Sequence, residues 1–454
     1  MGEIVTPRTL SGFMELSPKD QLKFDAMKNV IEEVYRLHGF YALDTPVLEL
    51  SDVLMAKTGG EEIGKQVYRF TKGDTDLTMR FDLTVPLAKY VAKNYGELSF
   101  PFKRYQIGKV YRGERAQRGR FREFYQSDID IIGDGTLDIY NDAIIPSIIY
   151  QVFTRLGIDD FVIRINNRKV LNGFVESMGI EADLTDVLRI VDKMEKVPKE
   201  VIAEELVQLG MTPDDVDRLT DFIRIKGDAY ETLKKAEEYG IENETFMEGI
   251  SELKAVVCGI ESFNVPKECF CIDFSIARGL DYYTGTVYET MLTKHPEIGS
   301  VCSGGRYDNL AAYYTKKTLP GVGMSIGLTR LFYILNERNY INMSISAPSD
   351  ILILPFDRKD YGKASEINAY FIDEGIRSQV YFEDKKIKAK MKYADSLGMP
   401  FVILLGEDEI AGNVVSIKAL ATGEQQQMSL ADAALYVKDA LQKLQSEKII
   451  RMEE

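Results

Sequence analysis

The most regular alternation of hydrophobic and polar positions lies between Lys103 and Gly133, and it predicts a β-hairpin whose loop is Gly113 to Gly119. In a strand, successive side chains point to opposite faces. The second arm therefore has an apolar face of Phe121, Tyr125, Ile129 and Ile131, and a chemical face of Arg120, Arg122, Phe124, Gln126, Asp128 and Asp130. Arginines at one end and carboxylates at the other suit a substrate with an anionic and a cationic end. A solvated strand face with cross-strand ion pairs is the alternative.

Helical periodicity dominates the preceding residues from Pro18 to His38, where Leu22, Ala26, Val30, Val34 and Leu37 recur three or four apart. Ser17 is the expected N-cap of this helix. A second hairpin is predicted around Gly73-Asp74, and a helix from Val85 to Asn94. Further along, the pattern predicts a helix over 138–156 and a strand over 161–165.

The C-terminal third changes character at Pro348. Beyond it, strands predicted at 351–354, 377–381, 401–405 and 414–417 alternate with helical segments, which indicates a small α/β domain. One of these helical segments is rich in lysine and contains Lys385, Lys386, Lys388, Lys390 and Lys392. Its predicted apolar stripe is Ile387, Met391 and Ala394, and the lysines form either a nucleic-acid contact or an ordinary solvated face.

Charge and composition exclude several classes of function. The 454 residues include 56 basic and 71 acidic side chains, a net charge of −15, which argues against a nonspecific nucleic-acid binder but not against a tRNA partner bound by local basic clusters. The four cysteines lack paired spacing and there are two histidines, so we expect reduced thiols and no zinc site.

We also expect a cytoplasmic location, because no apolar run approaches membrane-spanning length and the first residues are polar. Met1-Gly2 with Thr6 fits a myristoylation pattern, which is too short to be specific.

Several motifs together resemble the class II aminoacyl-tRNA synthetases, and specifically the histidyl-tRNA synthetase family. Tyr111 to Arg115 followed by Arg120 to Phe124 resembles motif 2, and its loop length is similar to the bacterial form. Arg278 to Gly285 resembles the first histidine-specific motif and Ser303 to Asp308 the second. Gly321 to Arg330 resembles motif 3. The motifs occur in the family's order over nearly the whole chain, which makes the resemblance more specific than any one of them.

The resemblance implies an α+β fold: a class II antiparallel sheet flanked by helices, with a helical insertion and a C-terminal α/β anticodon-binding domain. The expected boundaries are 1–338 for the catalytic domain, with the insertion at about 168–266, then a linker at 339–348 and the anticodon-binding domain at 349–454. The first helix and the strand ending at Pro46 match motif 1, through which the family forms homodimers. The expected partners are ATP with Mg²⁺, L-histidine and tRNA(His), with no tightly bound prosthetic group.

The implied activity is the ATP-dependent joining of histidine to tRNA(His) through a histidyl-adenylate. The resemblance assigns the catalytic role to Arg278 and Arg112. It assigns histidine binding to Asp82, Thr84, Gln126, Asp130, Tyr282, Tyr283, Gly304 and Gly305. It assigns ATP binding to Arg112, Glu114, Arg120, Phe124 and Arg330, and tRNA binding to Arg115 and Gln117.

Three positions depart from a common family pattern. Asp82 and Asp130 stand where many bacterial members have glutamate, and Thr329 stands where an acidic residue often precedes the motif 3 arginine. Asp82 has a second interpretation, in which its carboxylate only satisfies free N–H groups at a helix N-terminus.

The sequence also allows other interpretations of the fold and of the function. The glycines at 321, 323 and 327 suggest a dinucleotide fold, but alternating βαβ units do not precede them. We expect instead that these glycines allow the following helix to pack closely on the sheet. The strongest rival is a catalytically silent paralogue that senses histidine, like the regulatory subunit of ATP phosphoribosyltransferase. A synthetase-like domain that only binds tRNA is another.

Overall fold

The computed structural model describes residues 4–57, 66–115, 117–180, 184–191, 193–194, 197–276, 283–341, 347–445 and 449–451. The chain forms two compact units, Met1–Met14 with Val30–Ile334, and Glu15–Asn29 with Leu335–Glu454. Predicted site residues Arg278 and Tyr282 lie outside the described residues.

The larger unit contains eleven described strands. They are β1 Tyr41–Ala42, β2 Leu48–Leu50, β3 Arg69–Lys72, β4 Thr75–Met79, β5 Phe102–Tyr111, β6 Glu123–Ile132, β7 Phe161–Asn167, β8 Phe270–Ile272, β9 Thr286–Leu292, β10 Cys302–Tyr307 and β11 Gly321–Ile326. Eight of them form one sheet in the order β1-β5-β6-β11-β10-β9-β7-β8. Its central pairs are antiparallel, and only the outer pairs β1·β5 and β7·β8 are parallel. The mainly antiparallel α+β fold that we expected is confirmed, and the dinucleotide fold is excluded.

The long hairpin predicted from the alternation is β5–β6 at the centre of this sheet. Its register pairs Arg104 with Asp130 and Gly108 with Gln126. On its other edge β6 pairs with β11, where Asp130 lies opposite Gly323. A fully paired strand of ten residues holds every alternate side chain on a fixed face, so β6 is a rigid base for a site.

The helices up to Glu337 were largely predicted, and the first and last of them contribute residues to both units. The described ones are Pro18–Leu37, Ser51–Leu54, Thr84–Lys93, Tyr140–Leu156, Arg168–Glu176, Leu184–Val191, Lys199–Gln208, Pro213–Ile223, Ala229–Glu238, Glu244–Ser262 and Leu328–Glu337. The Asp20 N–H donates to Ser17 Oγ across 3.2 Å, which confirms Ser17 as the N-cap. The six helices from Arg168 to Ser262 leave the sheet at the end of β7 and return at β8, its neighbour.

The expected position of the motif 3 glycines was wrong. Gly321 and Gly323 lie in strand β11, not beside a helix, and the helix Leu328–Glu337 begins only after Gly327. A Cβ atom at Gly323 would lie 2.3 Å from Asp130 Oδ1. The glycine is therefore needed because a neighbouring strand places a carboxylate against it.

The smaller unit is built on a five-stranded sheet. Its strands are β12 Ile351–Pro355, β13 Ser378–Val380, β14 Phe401–Leu405, β15 Val415–Ala419 and β16 Gln425–Met428, in the order β13-β12-β14-β15-β16. Helices Tyr361–Asp373, Ile387–Leu397, Glu407–Gly412 and Leu430–Gln445 accompany it. The α/β prediction is confirmed, while β16 was missed because its sequence, QQQM, is polar and exposed.

The lysine-rich segment forms the helix Ile387–Leu397, but its buried face differs from the prediction. Lys390 is 1% exposed and its Nζ donates to the Pro355 carbonyl across 2.7 Å, whereas Ile387 is 40% exposed. The other four lysines of the segment are exposed. Lys390 is therefore part of the domain core.

Within the described ranges, no helix has the length and apolarity needed to cross a membrane. The same residues contain no cluster of three or more His, Cys, Asp or Glu side chains that could ligate a metal ion.

Candidate active site

A cavity of about 540 Å³ opens over the central strands of the larger sheet. The predicted site residues that line it are Asp82, Thr84, Arg112, Glu114, Arg120, Phe124, Gln126, Asp130, Tyr283, Gly304 and Arg330. These residues come from segments spread over about 250 positions of the chain, and the sheet brings them together. Gly305 lies beneath Tyr283, and Arg115 and Gln117 are exposed in the hairpin loop.

Strand β6 supplies one wall of the cavity through Phe124, Gln126, Asp128 and Asp130, as the alternation predicts. The predicted alternation fails before Glu123, because the regular strand begins there. Phe121, assigned to the apolar face, also lines the cavity. Arg122, assigned to the chemical face, instead donates from Nε to the Glu114 carbonyl across 3.0 Å.

One end of the cavity is cationic. Arg112 Nε donates to the Phe81 carbonyl across 3.0 Å, and its guanidinium lies 5.3 Å from the centroid of the Phe124 ring. Arg330 Nη1 donates to the Ser300 carbonyl across 3.2 Å. Burial, together with the positive charge of Arg120, lowers the pKa of Arg330 below its usual value. Arg120 and Arg330 repel each other in a cavity that is partly shielded from water. This repulsion favours the binding of an anionic ligand between the two guanidinium groups.

The opposite end is acidic and deeply buried. Arg104 is fully buried, and its Nη2 lies 2.7 Å from Asp130 Oδ2 and donates to the Leu83 carbonyl across 3.1 Å. The Tyr307 hydroxyl donates to Asp130 Oδ1 across 2.5 Å. Sequence reasoning assigned no role to Arg104 or Tyr307. The signal for Arg104 is its register, since it stands directly opposite Asp130 on β5.

Burial raises the pKa of every carboxyl group at this end. It raises the pKa of Asp82 to about 6, against the opposing effects of the Val85 N–H and the Arg112 charge. It raises the pKa of Asp128 to about 7, against the opposing charge of Arg104. The pKa of Asp130 is also raised by burial, against the effects of Arg104 and Tyr307. A cationic ligand would favour the ionised form of all three groups.

Asp82 fits both of its interpretations. Its Oδ1 accepts a hydrogen bond from the Val85 N–H across 3.2 Å at the start of the helix Thr84–Lys93. Its Oδ2 is buried without a hydrogen-bond partner, and the side chain lines the cavity. One oxygen therefore caps the helix while the other remains for a ligand.

Two hydrogen bonds fix the middle of the β6 wall. Gln126 Nε2 donates to Ser325 Oγ across 2.8 Å, and Gln126 Oε1 is buried without a partner. Thr329 Oγ1 accepts from the Tyr125 N–H across 2.7 Å. The threonine thus has a local role in which its hydroxyl ties β6 to the helix Leu328–Glu337.

The two glycines of the second histidine motif serve close packing. A Cβ atom at Gly304 would lie 2.2 Å from the Gly323 carbonyl oxygen on β11. A Cβ atom at Gly305 would lie 2.9 Å from the ring of Tyr283. Larger side chains here would move either β11 or Tyr283, and both border the cavity.

Comparison with known proteins identifies the family. A profile described as "Histidyl-tRNA synthetase" matches residues 12–331, and one described as "Anticodon binding domain" matches residues 350–440. The chain is 54% identical over 440 residues to a histidine–tRNA ligase of Clostridium tetani, covering 96% of this chain and 99% of the relative. It is 45% identical over 428 residues to the corresponding ligase of Finegoldia magna, covering 94% and 98% respectively.

Solved structures agree with this result. The histidyl-tRNA synthetase of Nostoc sp. PCC 7120 superimposes with a TM-score of 0.89 at 36% identity, covering 96% of this chain and 100% of the other. An ATP phosphoribosyltransferase regulatory subunit/histidyl-tRNA synthetase from Bacillus halodurans shares the fold at 19% identity, with a TM-score of 0.71 over 86% of this chain and 97% of that one. On the profile and on full-length identity, the chain belongs to the histidyl-tRNA synthetase family of aminoacyl-tRNA synthetases.

Proposed function

We propose that this protein is a histidine–tRNA ligase, which activates L-histidine with ATP and transfers the histidyl group to the 3′ end of tRNA(His). The observation that supports this most directly is the division of one cavity into a cationic end and an acidic end. ATP and histidine meet such a cavity in a single orientation, with phosphates toward the arginines and the amino group and ring toward the carboxylates.

In the first step, the carboxylate of histidine attacks the α-phosphate of ATP and pyrophosphate leaves. Negative charge builds between two groups that are already anionic, so fixed cations are the main requirement. Arg112 and Arg278 are assigned to the α-phosphate, and Arg120 and Arg330 to the β- and γ-phosphates. Phe124 is assigned to the adenine ring and Glu114 to the nucleotide. ATP would be taken as its Mg²⁺ complex, and the ion would offset part of the negative charge of the phosphates.

The buried end of the cavity is assigned to histidine. Asp82, Thr84 and Gln126 are assigned to the α-amino group, and the unpartnered Asp82 Oδ2 and Gln126 Oε1 support this assignment. Asp130 and Tyr283 are assigned to the imidazole nitrogens, and Tyr282, Gly304 and Gly305 to the rest of the same subsite. Buried polar groups that match two ring nitrogens reject other amino acids strongly, because without the ring they stay unpaired.

The second step needs the tRNA. Arg115 and Gln117, exposed in the hairpin loop, are assigned to the acceptor end of tRNA(His). Residues 349–454 are assigned to the anticodon and 168–266 to an insertion in the catalytic domain of 1–338, with 339–348 as the linker. We further propose a homodimer in the cytoplasm.

The experiment is histidine-dependent exchange of pyrophosphate into ATP, followed by charging of tRNA(His). Arg330→Met should reduce exchange about 100-fold or more, because it removes a cation that faces the phosphates. Arg189→Met is the matched control, since Arg189 lies on the helix Leu184–Val191 and pairs with Asp186 outside the cavity. Exchange with histidine alone supports the proposal. Histidine binding without exchange would contradict it and favour a histidine sensor.

A further inference from the structure

Asp128 is a buried carboxylate of the cavity to which the proposed function assigns no role. It is 2% exposed, it lines the cavity, and its Oδ1 has no hydrogen-bond partner. It lies between Gln126 and Asp130 on the same face of β6, opposite Ser325 on β11. A buried carboxylate oxygen without a partner carries a large desolvation cost unless a ligand satisfies it.

The neighbouring carboxylate is already engaged. Asp130 Oδ1 accepts from the Tyr307 hydroxyl, and Asp130 Oδ2 lies beside the Arg104 guanidinium. Asp128 Oδ1 and Asp130 Oδ2 are both buried without a hydrogen bond, but Asp130 Oδ2 has the Arg104 guanidinium 2.7 Å away as its countercharge. Asp128 Oδ1 is thus the oxygen of this pair that has neither a hydrogen bond nor an ion-pair contact. The proposed function assigns the neighbouring Asp130 to the imidazole ring, so the ring is the part of histidine that lies next to Asp128.

The groups facing Asp128 set its electrostatic surroundings. They are Arg104 on β5, Asp130 on β6, Asp82 before the helix Thr84–Lys93, Cys302 on β10 and Tyr35 on the helix Pro18–Leu37. Burial raises the pKa values of Cys302 and Tyr35, so both are neutral. Among these residues, three carboxylates and one guanidinium then give a charge of −2 when all are ionised. The α-ammonium of histidine balances one of these charges and leaves one.

Building on the proposed function, we propose that Asp128 is a specificity-determining residue that binds the histidine ring as an imidazolium cation. The imidazolium has two N–H donors. One of them is directed to the Asp128–Asp130 side of the subsite and the other to the Tyr283 oxygen. Amino acids with an uncharged ring of the same shape would leave Asp128 without its countercharge.

The proton required for this state is available in the site. In the empty cavity near pH 7, Asp128 is partly protonated, and free histidine carries a mostly neutral ring. On binding, the carboxyl O–H bond breaks and the proton joins the lone pair of a ring nitrogen, which leaves a carboxylate beside an imidazolium. No other reactant is needed. Well above pH 7, where Asp128 is already ionised, the ring must take its proton from solvent.

The test compares histidine with 1,2,4-triazole-3-alanine, whose five-membered ring has similar shape but is uncharged at pH 7. In pyrophosphate exchange by the wild-type protein, the KM for the triazole analogue should exceed that for histidine by about tenfold or more. Asp128→Asn should raise the KM for histidine by about tenfold and change that for the analogue by less than about threefold. Asp74→Asn, in the exposed β3–β4 turn, is the matched control and should change neither.

A second measurement does not depend on catalysis. Calorimetric titrations with histidine at pH 8.5, in buffers of different ionisation enthalpy, count the protons taken up on binding. Wild type should take up about one proton more than Asp128→Asn, because only its site binds the charged ring. A purely structural role for Asp128 would leave this number unchanged.

The outcomes separate the two proposals. Equal binding of both amino acids by wild type overturns the imidazolium inference, and this comparison needs no variant. Equal proton uptake by wild type and Asp128→Asn also overturns it. Histidine binding with the predicted proton uptake but no exchange would contradict the ligase activity while supporting Asp128. No histidine binding at all contradicts both.

Discussion

Arg306 and Asp142 form a buried, two-pronged ion pair: Arg306 Nη2 lies 2.6 Å from Asp142 Oδ1, and Arg306 Nε lies 3.1 Å from each carboxylate oxygen. The two side chains are 8% and 0% exposed. Arg306 belongs to the second histidine motif, and its carbonyl accepts from the Thr284 N–H across 2.8 Å. The pair therefore anchors the backbone next to Tyr283 to the helix Tyr140–Leu156.

Breaking this pair should be costly. Asp142→Asn leaves the buried guanidinium with only the more exposed Asp308 carboxylate, 3.8 Å away, and should lower the free energy of unfolding by about 3–5 kcal/mol. Glu366→Gln is the control, because it breaks the exposed pair with Lys363 and should cost less than about 1 kcal/mol. Urea titrations followed by circular dichroism measure both. Equal effects of the two substitutions would mean that burial does not determine the strength of this pair.

Asp82 should make the ligand-free protein less stable at high pH. Its pKa is raised from 3.8 to about 6, so the unfolded chain loses this proton first and stability falls as pH rises through that interval. Asp82→Asn should therefore raise the free energy of unfolding by up to about 3 kcal/mol at pH 8 relative to wild type, and hardly at all at pH 4. Thermal unfolding at the two pH values tests this. A gain of the same size at both would show that the charge of Asp82 is not its cause.

Gly323 should be essential to the position of Asp130. Gly323→Ala places a Cβ atom 2.3 Å from Asp130 Oδ1, so the carboxylate must move. The KM for histidine in pyrophosphate exchange should rise about tenfold or more, because a misplaced partner loses a charge-assisted hydrogen bond. Gly362→Ala is the control, since its Cβ meets nothing within 4 Å. An unchanged KM would show that strand β11 can shift to accommodate the Cβ atom without moving the Asp130 carboxylate.

Two lysines of one helix should behave differently. Lys390→Ala removes a buried ammonium and leaves the Pro355 carbonyl without its 2.7 Å hydrogen bond, so the smaller unit should lose about 1–3 kcal/mol of stability. Lys388 is exposed, and Lys388→Ala should leave stability unchanged but weaken tRNA binding and reduce its salt dependence. Thermal unfolding and filter binding at two salt concentrations separate the effects. If Lys388→Ala leaves tRNA binding unchanged, the exposed lysines are an ordinary solvated face.

The sequence predicted the site residues best where they alternate along a single strand. Phe124, Gln126 and Asp130 share a face because β6 is a paired strand, and two-residue alternation is visible in any such segment. The charged end formed by Arg120 and Arg330 follows from the motifs alone. The elements themselves were mostly found, since their apolar periods are strong.

The features that were missed depend on contacts across the sheet. Nothing local to Arg104 indicates that it is fully buried beside Asp130, because that depends on the register of β5 and β6. Lys390 looks like its exposed neighbours, and only the fold places its Nζ at the end of β12. Gly323 was assigned to helix packing because glycine marks close approach without naming the partner. Register and partner identity are tertiary properties, so single-sequence patterns contain little information about them.

Strand β6 pairs with β5 along its whole length, and this pairing fixes the distance between the residues assigned to the nucleotide and those assigned to the amino acid. Asp130, assigned to the ring, follows Phe124, assigned to adenine, by six residue steps, and at about 3.4 Å per step these span about 20 Å. Inserting or deleting one residue between them would rotate one subsite to the opposite face of the sheet. Substitutions on the face of β6 that points away from the cavity leave this spacing intact, whereas an insertion or deletion of one residue does not. The distance between the nucleotide and amino-acid subsites is therefore expected to be inherited unchanged.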